Sequence, residues 1–166
     1  WDQLKLPEIK KMKNRGSDEP RKGGEMLANG ILLGFKPPGG ETYTDLPELK
    51  EVPDLQNKPE RVENTPLNAA NKRYEKGIGD PGEMVYKFCY HGPKKGSALV
   101  LLRNALLSDE ELDFQETWPD GTIIQYTAQP NISFARGGGI NSVVDMQVEM
   151  FVTSDIETIL PDEGGN

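Results

Sequence analysis

Cysteine and histidine are almost missing from this chain. Its 166 residues include one cysteine, Cys89, and one histidine, His91. A single cysteine excludes an internal disulfide and any zinc site built from several cysteines. The apolar neighbours Val85, Phe88 and Tyr90 favour an inert strand cysteine over a nucleophile. His91 begins a His-Gly-Pro sequence, which favours a turn over a catalytic base.

Recognisable catalytic and ligand-binding motifs are also missing. Gly137-Gly138-Gly139 lacks the lysine and the following helix of a phosphate-binding loop, and it predicts a turn or bulge. Asp109-Glu110-Glu111 could hold a hard cation, but successive strand side chains point to opposite faces, so we interpret it as solvated charge. Trp118-Pro119-Asp120-Gly121 could present an aromatic ring to a sugar or peptide, yet Pro-Asp-Gly is also ordinary turn chemistry. We predict no catalytic residues, no cofactor and no metal, so an enzyme is disfavoured.

No apolar run approaches the roughly 20 residues of a membrane span, so we expect a soluble protein with no membrane partner. A chain of this length buries about 70% of its unfolded surface as one domain. No internal repeat is visible. We predict one β domain over residues 26–158 and a short tail over 159–166.

Residues 1–25 differ from the rest in composition. They carry seven basic and five acidic side chains, with only one weak helical stripe. We interpret them as a charged arm or as a foreign extension. The second hypothesis rests on Gly23-Gly24-Glu25-Met26, which a purine-rich ribosome-binding site and start codon would encode.

The remaining residues, 26–166, are acidic, with 12 basic and 22 acidic side chains. That balance disfavours tight nucleic-acid binding, which needs clustered lysine and arginine at the phosphates. It is compatible with a surface past which nucleic acid slides.

What is present is a clean apolar/polar alternation between residues 110 and 153. Period-two alternation marks a strand with one buried face. It appears before the Trp118–Gly121 turn, between that turn and the triple glycine, and after the triple glycine, with Glu116 the single break in phase. We predict three successive strands in an antiparallel meander.

Further elements precede the meander. We predict strands over Ile31–Lys36, Thr42–Val52, Arg61–Thr65 and Glu83–Tyr90, separated by proline-rich turns. Residues 97–107 switch to helical spacing, with Ser97 as N-cap and Ser108-Asp109 ending the helix. We expect its leucines to pack on the core. Residues 66–81 show no alternation, and we interpret them as an interaction loop, since long loops are usually functional or disordered.

An ordered series of short motifs resembles the major tail tube proteins of long-tailed, siphovirus-type bacteriophages of the Gram-positive type. The series comprises Glu48–Leu55, Pro59–Leu67 and Arg73–Gly79, followed by a strand, the helix and the Trp118–Gly121 hairpin. The similarity covers about residues 29–157. It implies a mainly β fold of two packed antiparallel sheets with one flanking α-helix, in agreement with the elements above.

The resemblance also implies an assembly. In that family six subunits form a ring, stacked rings form a tube, and one sheet of each subunit lines the channel through which the genome passes. Implied partners are other copies of the chain and the tape measure, tail-tip and tail terminator proteins, while DNA transits without specific binding. The implied location is the virion tail, assembled in the cytoplasm of the bacterial host.

The resemblance assigns an inter-subunit role to the loop over Thr65–Gly79. The residues singled out there are Thr65, Leu67, Asn68, Asn71, Arg73, Tyr74 and Ile78. Candidate channel-facing residues come from the polar side of the meander strands: Gln125, Thr127, Gln129, Asp145, Gln147 and Glu149. Two alternatives stay open, a tube subunit of a secretion or injection system and a β-sandwich binding module.

Overall fold

The computed structural model describes residues 26–107 and 111–162. They form ten strands and one helix, and every strand pairing is antiparallel. The elements are β1 Leu32–Phe35, β2 Thr44–Asp45, β3 Leu49–Glu51, β4 Lys58–Glu63, β5 Tyr74–Asp80, β6 Met84–Cys89, α1 Ala98–Leu106, β7 Leu112–Thr117, β8 Ile123–Ala135, β9 Asp145–Val152 and β10 Glu157–Ile159. The predicted meander is confirmed as β7, β8 and β9.

Eight strands belong to one curled sheet. Its order is β2-β1-β7-β8-β9-β6-β3, with β10 paired to β8. Strands β4 and β5 form a separate two-stranded sheet. The thirteen-residue β8 joins the two halves of the large sheet, because its first half pairs with β7 and its second half pairs with β9.

The curl folds the large sheet over its own apolar face. Strands β6 and β7 are separated by β9 and β8 in the sheet, which in a flat sheet would place them roughly 14 Å apart. Nevertheless the Tyr86 phenol of β6 lies 2.9 Å from the Glu116 carboxylate of β7. The two halves therefore pack face to face, and the predicted fold class is confirmed: mainly β, antiparallel, with one helix.

The core lies between the two halves. Its largest fully buried side chains come from both, and in β7 and β9 the buried side chains alternate with polar residues. They are Leu33, Met84, Tyr86, Phe88, Leu102, Phe114, Ile124, Met146 and Val148. Burial of apolar area of this kind supplies the main favourable free energy of folding.

The predicted strand over Thr42–Val52 is wrong in one respect, because it is two short strands at opposite ends of the sheet. Residues 46–48 cross between them and place Leu46 in the core. Pro47 has no N–H to donate to a ladder, and Glu48 has a φ of 65°. The crossing strap connects the two ends of the sheet, and the edge strands that it joins are only two and three residues long.

Helix α1 confirms the predicted helix. Ser97 is the N-cap residue with extended backbone angles, but its hydroxyl makes no capping hydrogen bond. Ala98, Leu102 and Ala105 are buried, so the apolar stripe packs on the core as expected. Its predicted end at Ser108-Asp109 lies outside the described residues, as do the segments 1–25 and 163–166.

The predicted loop over residues 66–81 is wrong in its second half, where Tyr74–Asp80 is strand β5. Strand β4 also begins earlier than the predicted Arg61. Together β4, β5 and their connection form a hairpin, which we call the arm (residues 58–80). Nearly all arm side chains are exposed on both faces, so the sequence shows no apolar alternation there.

Candidate functional site

Folding the sheet over its core leaves two outward faces. We call the outward side of β3, β6, β9 and the second half of β8 the β9 face. The outward side of β1, β7, β10 and the first half of β8 is the β7 face. Because the inner sides of the two halves meet in the core, the outward sides of β6 and β7 point away from each other, whereas β8 carries both faces along one strand.

The six predicted channel residues are divided between these faces. Gln129, Asp145, Gln147 and Glu149 lie on the β9 face, where Gln147 is paired between Lys87 and Ser133. Gln125 and Thr127 lie on the β7 face, opposite Gln115 and Asp113. All six share the non-core parity, as the alternation indicates, and Thr127 and Gln129 are neighbours on the same side of β8, where the β7 face meets the β9 face.

Charges on the β9 face are mostly paired with each other. Lys50 Nζ lies 2.8 Å from Asp145 Oδ2, and Lys87 Nζ lies 2.7 Å from Glu51 Oε2. The hydrogen bond from Lys50 to Asp145 raises the pKa of the Lys50 ammonium. Asp145 Oδ1 is buried and accepts no hydrogen bond from the described residues. The resulting surface is close to neutral and mainly polar, with Phe151, which pairs with Gln129, 52% exposed on it.

On the β7 face, the polar side chains are linked across strands. Gln125 Nε2 donates to Gln115 Oε1 at 2.9 Å, and Thr127 Oγ1 donates to Asp113 Oδ1 at 2.6 Å. Lys36 approaches Asp113 only to 3.9 Å. Such pairs fix side-chain orientation without giving the face a reactive group.

The arm contains all seven predicted inter-subunit residues. Thr65 closes the tip, because its hydroxyl accepts a 3.0 Å hydrogen bond from the Arg73 amide. Tyr74 begins β5, and the Arg61 guanidinium stacks 3.6 Å from the centre of its ring. The other five are Leu67, Asn68, Asn71, Arg73 and Ile78, all exposed.

A buried polar network joins the two halves of the sheet. Tyr126 donates to the Tyr86 hydroxyl at 3.0 Å, and Tyr86 donates to Glu116 Oε2 at 2.9 Å. Trp118 Nε1 donates to Glu116 Oε1 at 2.9 Å. Desolvation by burial raises the pKa of both phenols far above the ordinary value. Sequence reasoning missed this network, although Glu116 was visible as the break in alternation.

The lone histidine and cysteine lie at one small cleft beside the start of α1. His91 Nε2 stands 3.6 Å from Glu48 Oε1, and both side chains are largely exposed. Cys89 lines the same cleft and is unpaired. Within the described residues no three histidine, cysteine or acidic side chains converge as a metal site. In the same residues no helix is long and apolar enough to cross a membrane.

Comparison with known proteins identifies the fold but gives no sequence match. No protein-family model matches the chain, and no curated protein matches it. A chain of the anti-feeding prophage baseplate, from a sixfold-symmetrised cryo-EM structure, superposes with a TM-score of 0.63 at 13% identity. That alignment covers 82% of this chain and 97% of the other.

Two further structures come from tails. A chain from the tail of an empty GTA particle, with C6 symmetry, gives a TM-score of 0.60 at 17% identity, covering 80% of this chain and 99% of the other. The SPP1 tail tube gives 0.50 at 11% identity, covering 82% and 80%. This chain has a fold shared by phage tail proteins. At these identities the likeness establishes the fold.

Proposed function

We propose that this protein is a structural tail tube subunit that forms hexameric rings, which stack into a channel for genome passage. The observation that carries the proposal is the fold, which matches subunits of sixfold-symmetric tail assemblies over most of both chains. The ordered sequence motifs support the finer assignment to a long-tailed phage of the Gram-positive type. The proposed location is the virion tail, with assembly in the host cytoplasm.

The β9 face is our proposed channel lining. A water-filled channel for DNA needs a wettable wall with few apolar side chains and no uncompensated basic groups, since clustered lysine and arginine bind phosphates. On this face Gln129, Gln147 and Ser133 are polar, and Lys50 and Lys87 are neutralised by acidic partners. Glu149 adds a negative charge from each copy, which disfavours DNA adhesion.

Gln125 and Thr127 then lie beside this lining and outside it, because they pair with β7 and not with β9. The excess of acidic side chains in the chain is also not concentrated on the proposed lining, where most charges are paired with opposite ones. Passage of DNA would depend on a neutral, polar wall with a modest negative excess.

The arm supports the assembly part of the proposal. A two-stranded hairpin is marginally stable alone in water, and this one exposes Leu67 and Ile78 fully or nearly so. Both strands pair with each other and with no strand of the large sheet. We infer that the arm is ordered in the assembly by contact with another copy.

Electron microscopy of the purified protein at high concentration, combined with its solution mass, tests the proposal. Rings or long hollow tubes are expected. If the chain assembles only when a tail-tip complex is added, the proposal still holds. A chain that stays monomeric with that complex present contradicts it.

A second candidate is a tube subunit of a phage-like injection system. The TM-score of 0.63 with a chain of the anti-feeding prophage baseplate favours it. A contractile sheath protein encoded beside this chain, together with co-purification of that sheath on the tubes, would distinguish it from a flexible-tail subunit.

A further inference from the structure

Strand register places three apolar residues and Thr117 side by side on the β7 face, and we call this set the apolar row. Leu32 pairs with Thr117, Thr117 pairs with Ile123, and Ile123 pairs with Ile159, across four neighbouring strands. Leu32 and Ile159 are 47% and 44% exposed at the ends of the row. These residues are far apart in sequence, and only the register of the sheet makes them one surface.

An acidic cleft of about 410 Å³ adjoins this row. Its lining includes the carboxylates Asp113, Asp155 and Glu157, and Lys36 Nζ lies outside the lining at 3.9 Å from Asp113 Oδ2. Tyr43 also lines the cleft, and burial followed by the negative charge of Asp113 raises the pKa of its phenol. The β7 face thus combines an apolar row with a negative cleft.

The arm carries the complementary pattern. Val62 and Ile78 are exposed apolar residues on its strands, with Ile78 85% exposed. Lys72 and Arg73 lie beside its tip, where Lys72 Nζ is 3.3 Å from Glu63 Oε2 and the Arg73 guanidinium makes no ion pair within the described residues. Residues 58–80 contain five basic and four acidic side chains, whereas the other described residues contain seven basic and fifteen acidic ones. Within the described residues, the arm therefore has a small positive excess, whereas the remainder is acidic.

We propose that the β7 face is the docking surface for the arm of a second copy of this chain. Val62 and Ile78 would cover the apolar row, and Lys72 and Arg73 would enter the acidic cleft. The occupant is a second copy because the arm begins after β3 and ends before β6, in the half of the sheet whose outward side points away from the β7 face. The contact joins different surfaces and therefore propagates from copy to copy. This inference rests on the proposed self-assembly and names the surfaces that carry it.

A charge swap tests the pairing. Lys72→Glu with Arg73→Glu reverses the arm, and Asp155→Lys with Glu157→Lys reverses the cleft. Each pair alone is expected to weaken self-association by about tenfold or more, since close like charges oppose docking. All four changes in one chain restore the attraction and are expected to recover most of the association. Sedimentation and electron microscopy at low salt measure the effect, and thermal unfolding verifies that each variant is folded.

Matched controls carry the same charge changes elsewhere. Lys94→Glu with Lys95→Glu matches the arm variant, and Glu41→Lys with Glu83→Lys matches the cleft variant. These controls are expected to leave association within about twofold, because uncontacted surface changes have small effects. If the controls weaken assembly as much as the test variants, net charge alone explains the effect and the proposal is overturned.

Crosslinking supplies the second readout. With Cys89→Ala as background, Ile78→Cys in one preparation and Ile159→Cys in another are mixed and oxidised. A disulfide between the two chains is expected. Its yield should exceed that from a mixture of Ile140→Cys and Ile159→Cys chains. No such excess, or failure of the four-change chain to recover, overturns the proposal.

The two hypotheses fail in different ways. If the arm variant and the cleft variant both form normal tubes, the tube function is supported and this docking surface is refuted. Specific crosslinks and charge-swap recovery in assemblies that are neither rings nor tubes would support the docking surface and refute the tube function. A crosslink that forms only within one chain, in a variant carrying both cysteines, would place the arm on its own β7 face and also refute the proposal.

Discussion

The Tyr86 phenol donates a 2.9 Å hydrogen bond to the Glu116 carboxylate across the interior between the two halves of the sheet. Glu116 is 5% exposed and also accepts a hydrogen bond from the Trp118 indole. A buried carboxylate is costly unless its oxygens are hydrogen-bonded. The sheet must therefore fold over for the buried Glu116 carboxylate to receive its hydrogen bond from Tyr86.

Tyr86→Phe is expected to lower the free energy of unfolding by about 1–3 kcal/mol, because it removes the donor to a buried Glu116 oxygen. Urea unfolding followed by tryptophan fluorescence measures the change. Tyr74→Phe is the matched control, since the exposed Tyr74 hydroxyl makes no hydrogen bond in the described residues, and its effect should stay within about 0.5 kcal/mol. Equal effects from the two substitutions would contradict the role of the buried network.

Stability should fall at alkaline pH. Burial raises the pKa of Tyr86 and Tyr126 above the ordinary value of about 10, so the folded state retains phenolic protons that the unfolded state releases. The contribution of both phenols is complete below about pH 10 and is lost as the pH rises further. Urea midpoints measured from about pH 8 to pH 11 should decline mainly above pH 10, and Tyr126→Phe should make that decline shallower. A decline of unchanged steepness in Tyr126→Phe would argue against this origin.

Removing the arm should separate folding from assembly. A deletion of Thr65–Gly79 would remove most of β5 and leave β4 unpaired, so the cleaner change replaces residues 58–80 by a short glycine-serine linker. The ends can be joined because Lys58 pairs with Asp80. We expect a folded monomer that forms no tubes, as measured by circular dichroism, solution mass and electron microscopy. Tubes of normal yield would refute the role of the arm.

Positive charge on the β9 face should make the tube retain DNA. Gln147→Lys with Glu149→Lys adds uncompensated basic groups to the proposed lining, and phosphate contacts then release counterions. We expect salt-dependent retention of single- or double-stranded DNA by assembled tubes in a co-sedimentation assay, with little change in stability. Glu41→Lys with Thr42→Lys places the same charge change in the loop between β1 and β2, outside both the β9 face and the proposed docking surface. If this second variant still assembles and retains equal DNA, the β9 face is not the lining.

Two substitutions should report backbone strain at the strap and the nearby turn. Glu48 has a φ of 65°, a conformation that costs a side-chain-bearing residue about 1–2 kcal/mol. Glu48→Gly should therefore raise the unfolding free energy by about 0.5–1 kcal/mol after the added flexibility of the unfolded chain is subtracted. Gly92 has a φ of 91°, and no atom lies within 4 Å of the position that an added Cβ would take, so Gly92→Ala should destabilise by about 1 kcal/mol through conformation alone. Chemical denaturation of both variants measures the pair, and effects of the same sign would contradict the explanation.

The sequence by itself determined the local structure wherever one side of an element is buried. Alternation located β6, β7, β8 and β9, and helical spacing located α1, because a buried face imposes its period on the chain. The polar parity of Gln125 and Gln147 was visible for the same reason. Where no face is buried, as in the arm, the pattern disappeared, and β5 was predicted as loop.

Only the tertiary structure decided which of these local surfaces belong together. Pairing in β8 changes from β7 to β9 along one strand, so Gln125 and Gln147 share parity but lie on different halves of the curled sheet. Register brings Leu32 beside Thr117 and places Ile159 beside Ile123, which no local pattern contains. The folding over of the sheet likewise turned Glu116 from a break in the alternation into the acceptor for Tyr86. Parity is a property of neighbouring residues, whereas register and curl are set by contacts between strands distant in sequence.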